Sequence, residues 1–193
     1  RAFNLRQSSK WTSPADFPPM RSMSEHKPDS KSERHSPTAE RLIPLPDEAA
    51  TRALGRRLAA LVAAGDFIAL RGDLGAGKTA LARALIEARL AEHGLKEDVP
   101  SPTFTLVQSY ETPDLLITHV DLYRLDRPED AAELGLMDAL DEGAVLVEWP
   151  DKLDSLPKDR LDIDIRLVGE GGRREARLTG HGVWARRLEG LKD

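Results

Sequence analysis

After residue 40, apolar positions along the chain follow two different periods, which distinguish strands from helices. Phe67–Leu70 and Ala144–Val147 are unbroken apolar runs, typical of strands that are covered on both faces. Two other segments carry apolar residues at helical spacing. We predict one helix from a cap at Asp47 to about Gly65, and a second from a glycine-rich loop to about Gly94.

Shorter patterns supply the remaining elements. They are an edge strand at Leu42–Leu45, strands at Phe104–Tyr110 and Leu115–Val120, a short helix at Pro128–Leu136, and two strands at Leu161–Leu167 and Glu175–Thr179. The last two flank a glycine-rich turn and should form an antiparallel hairpin. Strands that alternate with helices predict a three-layer α/β domain with a mostly parallel central sheet and this hairpin at its C-terminal end.

The first forty residues have a different composition from the rest. They hold ten Ser or Thr, five Pro and almost no aliphatic clusters. Such a segment buries too little apolar surface to offset its chain entropy. We therefore predict a disordered extension at residues 1–40 and one folded domain at residues 41–193; a targeting signal in the extension is the weaker interpretation.

Charge and cysteine content narrow the function. The net charge is −5, which divides into +2 for residues 1–40 and −7 for the remainder, so direct electrostatic binding of nucleic acid is disfavoured. The chain has no cysteine, which excludes disulfides and thiolate metal sites and fits a cytoplasmic protein. The longest apolar run, Leu58–Ala64, is too short for a membrane helix, so no membrane association is expected.

One motif carries a specific chemistry. The sequence Gly72-Asp73-Leu74-Gly75-Ala76-Gly77-Lys78-Thr79 fits the phosphate-binding loop G-x-x-x-x-G-K-[ST] at every position. Its glycines let the backbone approach phosphate, and its N–H groups lead into a helix N-terminus. The lysine would bind the β- and γ-phosphates of a nucleotide and the threonine would bind Mg²⁺. The fold is thus expected to be P-loop NTPase-like.

A phosphate loop needs an acidic partner, and two carboxylates follow apolar strands. Asp121 ends the strand at Leu115–Val120, and Glu148 ends the strand at Ala144–Val147. Both would emerge at the carboxyl edge of a parallel sheet beside the loop. Either suits the Walker B acid, and the pair indicates a metal site.

Other residues near these strands have two interpretations each. The segment Ser101–Val107 suits either a nucleotide-sensing switch or a plain strand start. His119 shares a strand face with Asp121, and packing is its favoured role over contact with the site. Trp149 follows Glu148, and core packing is likewise favoured over shielding of the site.

Together these motifs resemble one family. GDLGAGKT, SPTFTLV, HVDLYRL, the segment Glu133–Leu136, and LVEWP occur in the order found in the TsaE family, the ATPases of bacterial tRNA threonylcarbamoyladenosine synthesis. The resemblance covers about residues 41 to 190. It implies an Mg-ATP-hydrolysing accessory protein that acts with TsaB-like and TsaD-like partners and reaches tRNA only through that complex.

The resemblance also implies roles for individual residues. Thr103 would be the switch threonine and Asp121 the Walker B acid, while Glu148 would bind the metal with Thr79 or orient water. Nucleotide contacts would come from the loop, Trp149 and Arg174. These are Asp73, Leu74, Gly75, Ala76, Gly77, Lys78, Thr79, Trp149 and Arg174. Ala80 departs from the family, which often has a second threonine there.

Two other classes share the phosphate loop. A small-molecule kinase needs an arginine-bearing lid, and no convincing lid is visible in the sequence. A GTPase-like, nucleotide-gated interaction module gains some support from Asp151-Lys152-Leu153-Asp154, which is similar to the guanine reader [NT]-K-x-D. Its first position is wrong, so we interpret the similarity as accidental.

Overall fold

The computed structural model describes residues 38–169 and 172–191. The strands are β1 (Thr38–Leu45), β2 (Phe67–Arg71), β3 (Val107–Glu111), β4 (Leu116–Asp121), β5 (Ala144–Glu148), β6 (Arg160–Leu167) and β7 (Arg174–His181). The helices are α1 (Glu48–Ala59), α2 (Lys78–Glu92), α3 (Pro128–Ala132), α4 (Leu136–Glu142) and α5 (Val183–Glu189), with a single 3-10 turn at Pro150–Lys152.

The seven strands of the described residues form one sheet in the order β1-β7-β6-β2-β5-β4-β3. The four central strands, β6, β2, β5 and β4, pair in parallel. The β1–β7, β6–β7 and β3–β4 pairings are antiparallel. The parallel centre and the C-terminal β6–β7 hairpin confirm the predicted fold class, and the parallel pairing is confined to that centre.

Helices cover both faces of the sheet and complete three layers. Apolar side chains of α1, α2 and α5 pack on one face, and those of α3 and α4 pack on the other. The apolar run of β2 serves both cores, since Ile68 and Leu70 face α1 and α2 while Phe67 and Ala69 face the opposite layer. This two-sided burial explains why the strand carries no polar alternation.

Two local features define where α1 begins and how closely it packs on α2. The Asp47 side chain accepts a hydrogen bond from the N–H of Ala50, which caps α1 as predicted. Gly55 then lies so close to α2 that an added Cβ would be 2.5 Å from the carbonyl oxygen of Leu81. The first turn of α2, which carries Lys78 and Thr79, is therefore fixed in position from one side by α1.

Several predicted boundaries were wrong. The helix α1 ends at Ala59 rather than near Gly65. The strand predicted at Phe104–Tyr110 begins only at Val107, because Leu106 has a φ of 65° and its N–H donates to the carbonyl of Pro102 in a turn. The helix predicted at Pro128–Leu136 is two helices, separated by Gly135 with a φ of 65°. Helix α5 was not predicted at all.

The predicted extension meets the described residues only at its end. Strand β1 begins at Thr38, three residues before the predicted domain start at residue 41. Residues 1–37 lie outside the described part of the chain. Within the described residues, no helix has the length and apolar character that a membrane crossing requires.

Candidate functional site

A cleft of about 450 Å³ opens at the carboxyl edge of the central strands. Most of the predicted site residues line it. They are Leu74, Gly75, Gly77, Lys78, Thr79, Thr103, Asp121, Glu148, Trp149 and Arg174. Asp73 and Ala76 belong to the same loop but do not line the cleft; the Asp73 side chain is exposed and Ala76 is buried. The structure therefore brings most of the predicted site residues together in one cleft.

The loop between β2 and α2 has the backbone that its glycines allow. Gly72, Gly75 and Gly77 have φ angles of 136°, 78° and 115°. Helix α2 starts at Lys78, directly after Gly77, so its N-terminus points into the cleft. An anion in the cleft would lie at the positive end of the helix dipole.

Lys78 is the buried cation of the site, 4% exposed. Its Nζ donates to the carbonyl oxygens of Gly72 (2.7 Å) and Asp73 (2.9 Å), and it lies 3.8 Å from the ring centroid of Trp149. Burial lowers the pKa of this ammonium, although carboxylates led by Glu148 oppose the change. A cation held in this way lacks a full anionic partner, which a phosphate would provide.

Glu148 joins the loop helix to the sheet. Its Oε2 accepts a 2.9 Å hydrogen bond from Thr79 Oγ1, and its Oε1 lies 2.9 Å from Nε2 of His119. The carboxylate is 2% exposed and the imidazole is fully buried. His119 is thus both packed and in contact with the site, so its two sequence interpretations do not exclude each other.

Asp121 contacts a different segment, although it pairs with Glu148 in the sheet register. Its Oδ2 accepts a 2.6 Å hydrogen bond from Thr103 Oγ1, and its Oδ1 accepts one from the N–H of Tyr123. Ser101 Oγ lies 2.7 Å from the Thr103 hydroxyl. The two strand-end acids therefore divide the site: Glu148 contacts the phosphate loop, and Asp121 holds the segment that contains Thr103.

Aromatic and basic side chains form the rest of the cleft wall. Trp149 has a φ of 61°, uncommon outside glycine, and its ring lies 5.1 Å from that of Tyr123. Arg174, the first residue of β7, donates through Nη2 to the carbonyl of Gly75 at 3.3 Å. Arg83, one turn beyond Thr79 on α2, donates through Nε to the carbonyl of Val99 at 2.6 Å, just before the segment that carries Thr103.

Six residues that line the cleft were not among the predicted site residues, although Ser101 belongs to the segment considered as a nucleotide-sensing switch and Ala80 was noted as a departure from the family. They are Glu48, Thr51, Ala80, Arg83, Ser101 and Tyr123. Arg83 could have been found from its position one helical turn after Thr79. Ser101 and Tyr123 each lie two residues from a predicted site residue. Glu48 and Thr51 reach the cleft because α1 packs against α2, and no local sequence signal reports that contact.

The oxygen donors at the loop suit magnesium. Among the described residues, no group of three or more His, Cys, Asp or Glu side chains is arranged to hold a metal ion by itself. Mg²⁺ commonly uses only one or two protein oxygens and takes the others from phosphate and water. The Thr79 hydroxyl and the Glu148 carboxylate, in contact beside Lys78, fit that requirement.

The segment that is similar to a guanine reader has structural contacts instead. The carboxylate of Asp151 pairs with Arg71 at 3.0 Å, and Lys152 donates to the carbonyl of Leu125. Both residues lie in the 3-10 turn after Trp149. These contacts attach that turn to the end of β2 and to the opposite layer.

Comparison with known proteins gives one consistent family. The model of the family described as "Threonylcarbamoyl adenosine biosynthesis protein TsaE" matches residues 45–176. Proteins named tRNA threonylcarbamoyladenosine biosynthesis protein TsaE are similar to this chain. That of Streptomyces coelicolor is 42% identical over 144 residues, which cover 69% of this chain and 93% of the relative. That of Rickettsia bellii is 36% identical over 130 residues, which cover 67% and 88%.

A solved structure is similar to this chain in both fold and sequence. The crystal structure of Bacillus subtilis YdiB superposes with a TM-score of 0.59 and 30% sequence identity. The match covers 80% of this chain and 92% of the YdiB chain. It supports the three-layer arrangement described above.

Proposed function

The chain belongs to the TsaE family of threonylcarbamoyl adenosine biosynthesis proteins, and on that basis we propose that it binds and hydrolyses Mg-ATP in the cleft between β2, β5 and α2. The observation that carries the proposal is the contact of Thr79 with Glu148 beside the buried Lys78. A hydroxyl, a carboxylate and a cation meet there at a helix N-terminus. That set of groups suits a bound nucleoside triphosphate.

In this proposal the phosphate loop binds ATP, and residues at the edge of the sheet promote its hydrolysis. Lys78 and the N-terminus of α2 hold the phosphates of ATP. Thr79 and Glu148 would hold Mg²⁺, which neutralises charge on the β- and γ-phosphates when bound. The alternative role of Glu148 is to orient the attacking water from its position beside the phosphate loop.

Asp121 and Thr103 are proposed to sense the γ-phosphate. Their 2.6 Å hydrogen bond couples a strand end to the turn at residues 101–106. A bound triphosphate and its metal would attract the Thr103 hydroxyl and so change this contact. Order and release of such a segment is a known device of nucleotide switches.

The proposed partners are TsaB-like and TsaD-like proteins, with tRNA bound by their complex. Phe104, next to Thr103, is 80% exposed, and Leu74 in the phosphate loop is 74% exposed. Exposed apolar side chains at the rim of a polar cleft favour a protein partner there. The described domain is acidic, which disfavours direct contact with tRNA. A cytoplasmic location remains a prediction that follows from the tRNA role.

Reconstitution is the decisive test. Purified TsaB, TsaD, tRNA and the threonylcarbamoyl donor should give multiple rounds of modification only when this protein and ATP are added. Lys78→Ala should abolish ATP binding, because the buried cation is lost. Glu148→Gln should retain binding and lose hydrolysis. Modification at the same rate without the protein, or normal hydrolysis by Glu148→Gln, would contradict the proposal.

The same assays separate the two alternative functions. A small-molecule kinase would transfer phosphate from ATP to a metabolite and leave a phosphorylated product. A GTPase-like module would bind GTP in preference to ATP. GTP preference is not expected, since the side chains of the guanine-reader segment are used in contacts with Arg71 and Leu125. A kinase product is not expected, since no convincing arginine-bearing lid is visible in the sequence.

A further inference from the structure

His119 lies next to the candidate catalytic carboxylate and has no part in the mechanism given above. Its side chain is fully buried on β4, on the face that carries Asp121. The Nε2 atom lies 2.9 Å from Oε1 of Glu148. An ionised carboxylate only accepts hydrogen bonds, so Nε2 is the donor in this pair.

The other ring nitrogen makes this histidine a costly core residue. Nδ1 is buried and has no hydrogen-bond partner among the described residues. Burial of a polar atom without a partner opposes folding. A leucine of similar volume would avoid that cost, as Leu146 does at the neighbouring position of β5. The bond to Glu148 is the contact that sets the histidine apart from such a residue.

Glu148 accepts two hydrogen bonds, and the two donors have different tasks in the proposed site. Thr79 donates to Oε2 and His119 donates to Oε1. In the proposed site the Thr79 oxygen would also hold Mg²⁺, so the position of this donor would depend on the bound metal. His119 bonds the other carboxylate oxygen from a buried position on β4, so this bond does not depend on the metal.

We propose that His119 is a positioning residue that keeps the Glu148 carboxylate in its working orientation while Thr79 serves the nucleotide and its metal. It acts through Glu148 and does not touch the phosphates. This inference rests on the proposed hydrolysis of ATP in the same cleft. It assigns a function to a histidine that the sequence alone places in the core.

Two matched substitutions test the role. The side-chain nitrogen of glutamine lies near the position of Nε2, whereas that of asparagine lies near Nδ1, so His119→Gln keeps the donor to Glu148 and His119→Asn loses it. We expect His119→Asn to lower kcat on the order of 10- to 100-fold, because small displacements of a catalytic group have effects of that size. The KM for ATP should be unchanged, and His119→Gln should recover most of the rate.

Controls separate this role from packing. Thermal unfolding should show both variants folded, with similar midpoints. Equal losses of kcat in the two variants, an unchanged kcat in His119→Asn, or a raised KM would overturn the positioning role. A wild-type protein that hydrolyses no ATP in the reconstituted complex would overturn the proposed function itself, which is a different result.

A measurement on the wild-type protein tests the contact without any assay of activity. In ¹⁵N-labelled protein, two-bond ¹H–¹⁵N correlations report which ring nitrogen carries the proton, and loss of the signal in His119→Gln assigns it among the five histidines. We expect a protonated Nε2. A spectrum in which Nε2 of His119 carries no proton would overturn the proposal.

Discussion

Gly72 starts the phosphate loop at a point where the loop lies directly against β6. A Cβ added to it would be 2.4 Å from the carbonyl oxygen of Ile165, far below the 3.4 Å of ordinary contact. Gly75, three residues later in the same loop, has no atom within 4 Å of its added Cβ. Both glycines have positive φ, 136° at Gly72 and 78° at Gly75, so both alanine variants carry backbone strain, and Gly72→Ala adds this collision.

The expected losses of unfolding free energy follow from that difference. The positive φ should cost either alanine variant about 1–3 kcal/mol of unfolding free energy. The collision adds about 1–3 kcal/mol for Gly72→Ala, the usual size for overpacking against atoms that cannot rotate away. Gly72→Ala should therefore be less stable than Gly75→Ala by about 2 kcal/mol. The sheet backbone, and not only the phosphate, would then explain glycine at this position.

Urea unfolding followed by circular dichroism measures the difference. With a slope near 2 kcal/mol per molar urea, a difference of about 2 kcal/mol separates the two midpoints by about 1 M. The wild-type protein is the reference, and equal slopes would show that the unfolded states are comparable. Coincident midpoints for the two variants would refute the reasoning, because they would mean that β6 yields to the methyl group without cost.

Three further substitutions test other parts of the molecule. Thr103→Val should slow ATP hydrolysis by at least about tenfold while Thr103→Ser retains it, since only the hydroxyl can follow the γ-phosphate; equal steady-state rates would exclude that role. Burial alone would raise the pKa of Asp162, but hydrogen bonds from Arg160 and Arg71 lower it, so its stabilising effect is present above about pH 4 and is lost as the pH falls through the lowered pKa. Asp162→Asn should therefore be less stable by about 1–3 kcal/mol at neutral pH and converge with wild type in acid, whereas a constant difference across the titration would contradict this account. Phe104→Ser should leave unfolding and basal ATP hydrolysis unchanged but reduce binding to the partner complex; unaltered partner affinity by calorimetry would remove Phe104 from the contact surface.

Much of the fold could be predicted because its central elements are encoded locally. The apolar run of β2, the loop glycines and the helical spacing of α2 each point to one structure over a short window. The positions of Asp121 and Glu148 followed from a single rule, that parallel strands end at a common edge. In the structure the two residues lie opposite each other in the β4–β5 pairing.

What the sequence could not provide depends on contacts between distant segments. Helix α5 has only seven residues, too few for intrinsic helical stability, and it is held by Trp184 and Leu188 packed in the core. The left-handed conformation of Leu106 is set by the turn to Pro102 and by its carbonyl, which accepts from Asp121. Thr51 reaches the cleft only because α1 lies on α2. Each depends on tertiary structure that a short window does not contain.

The edge strand β1 gives the domain a fixed order of assembly during synthesis. Its only partner in the described sheet is β7, and Thr38 lies opposite His181, 143 positions further along the chain. A ribosome must therefore release β7 before β1 can join the sheet, and closure of so long a loop is slow. Until then β1 is an unpaired strand that carries Ile43 and Leu45, a target for proteases and chaperones. A chain that lacks β7 would leave β1 without its partner and would also lack Arg174, one wall of the cleft.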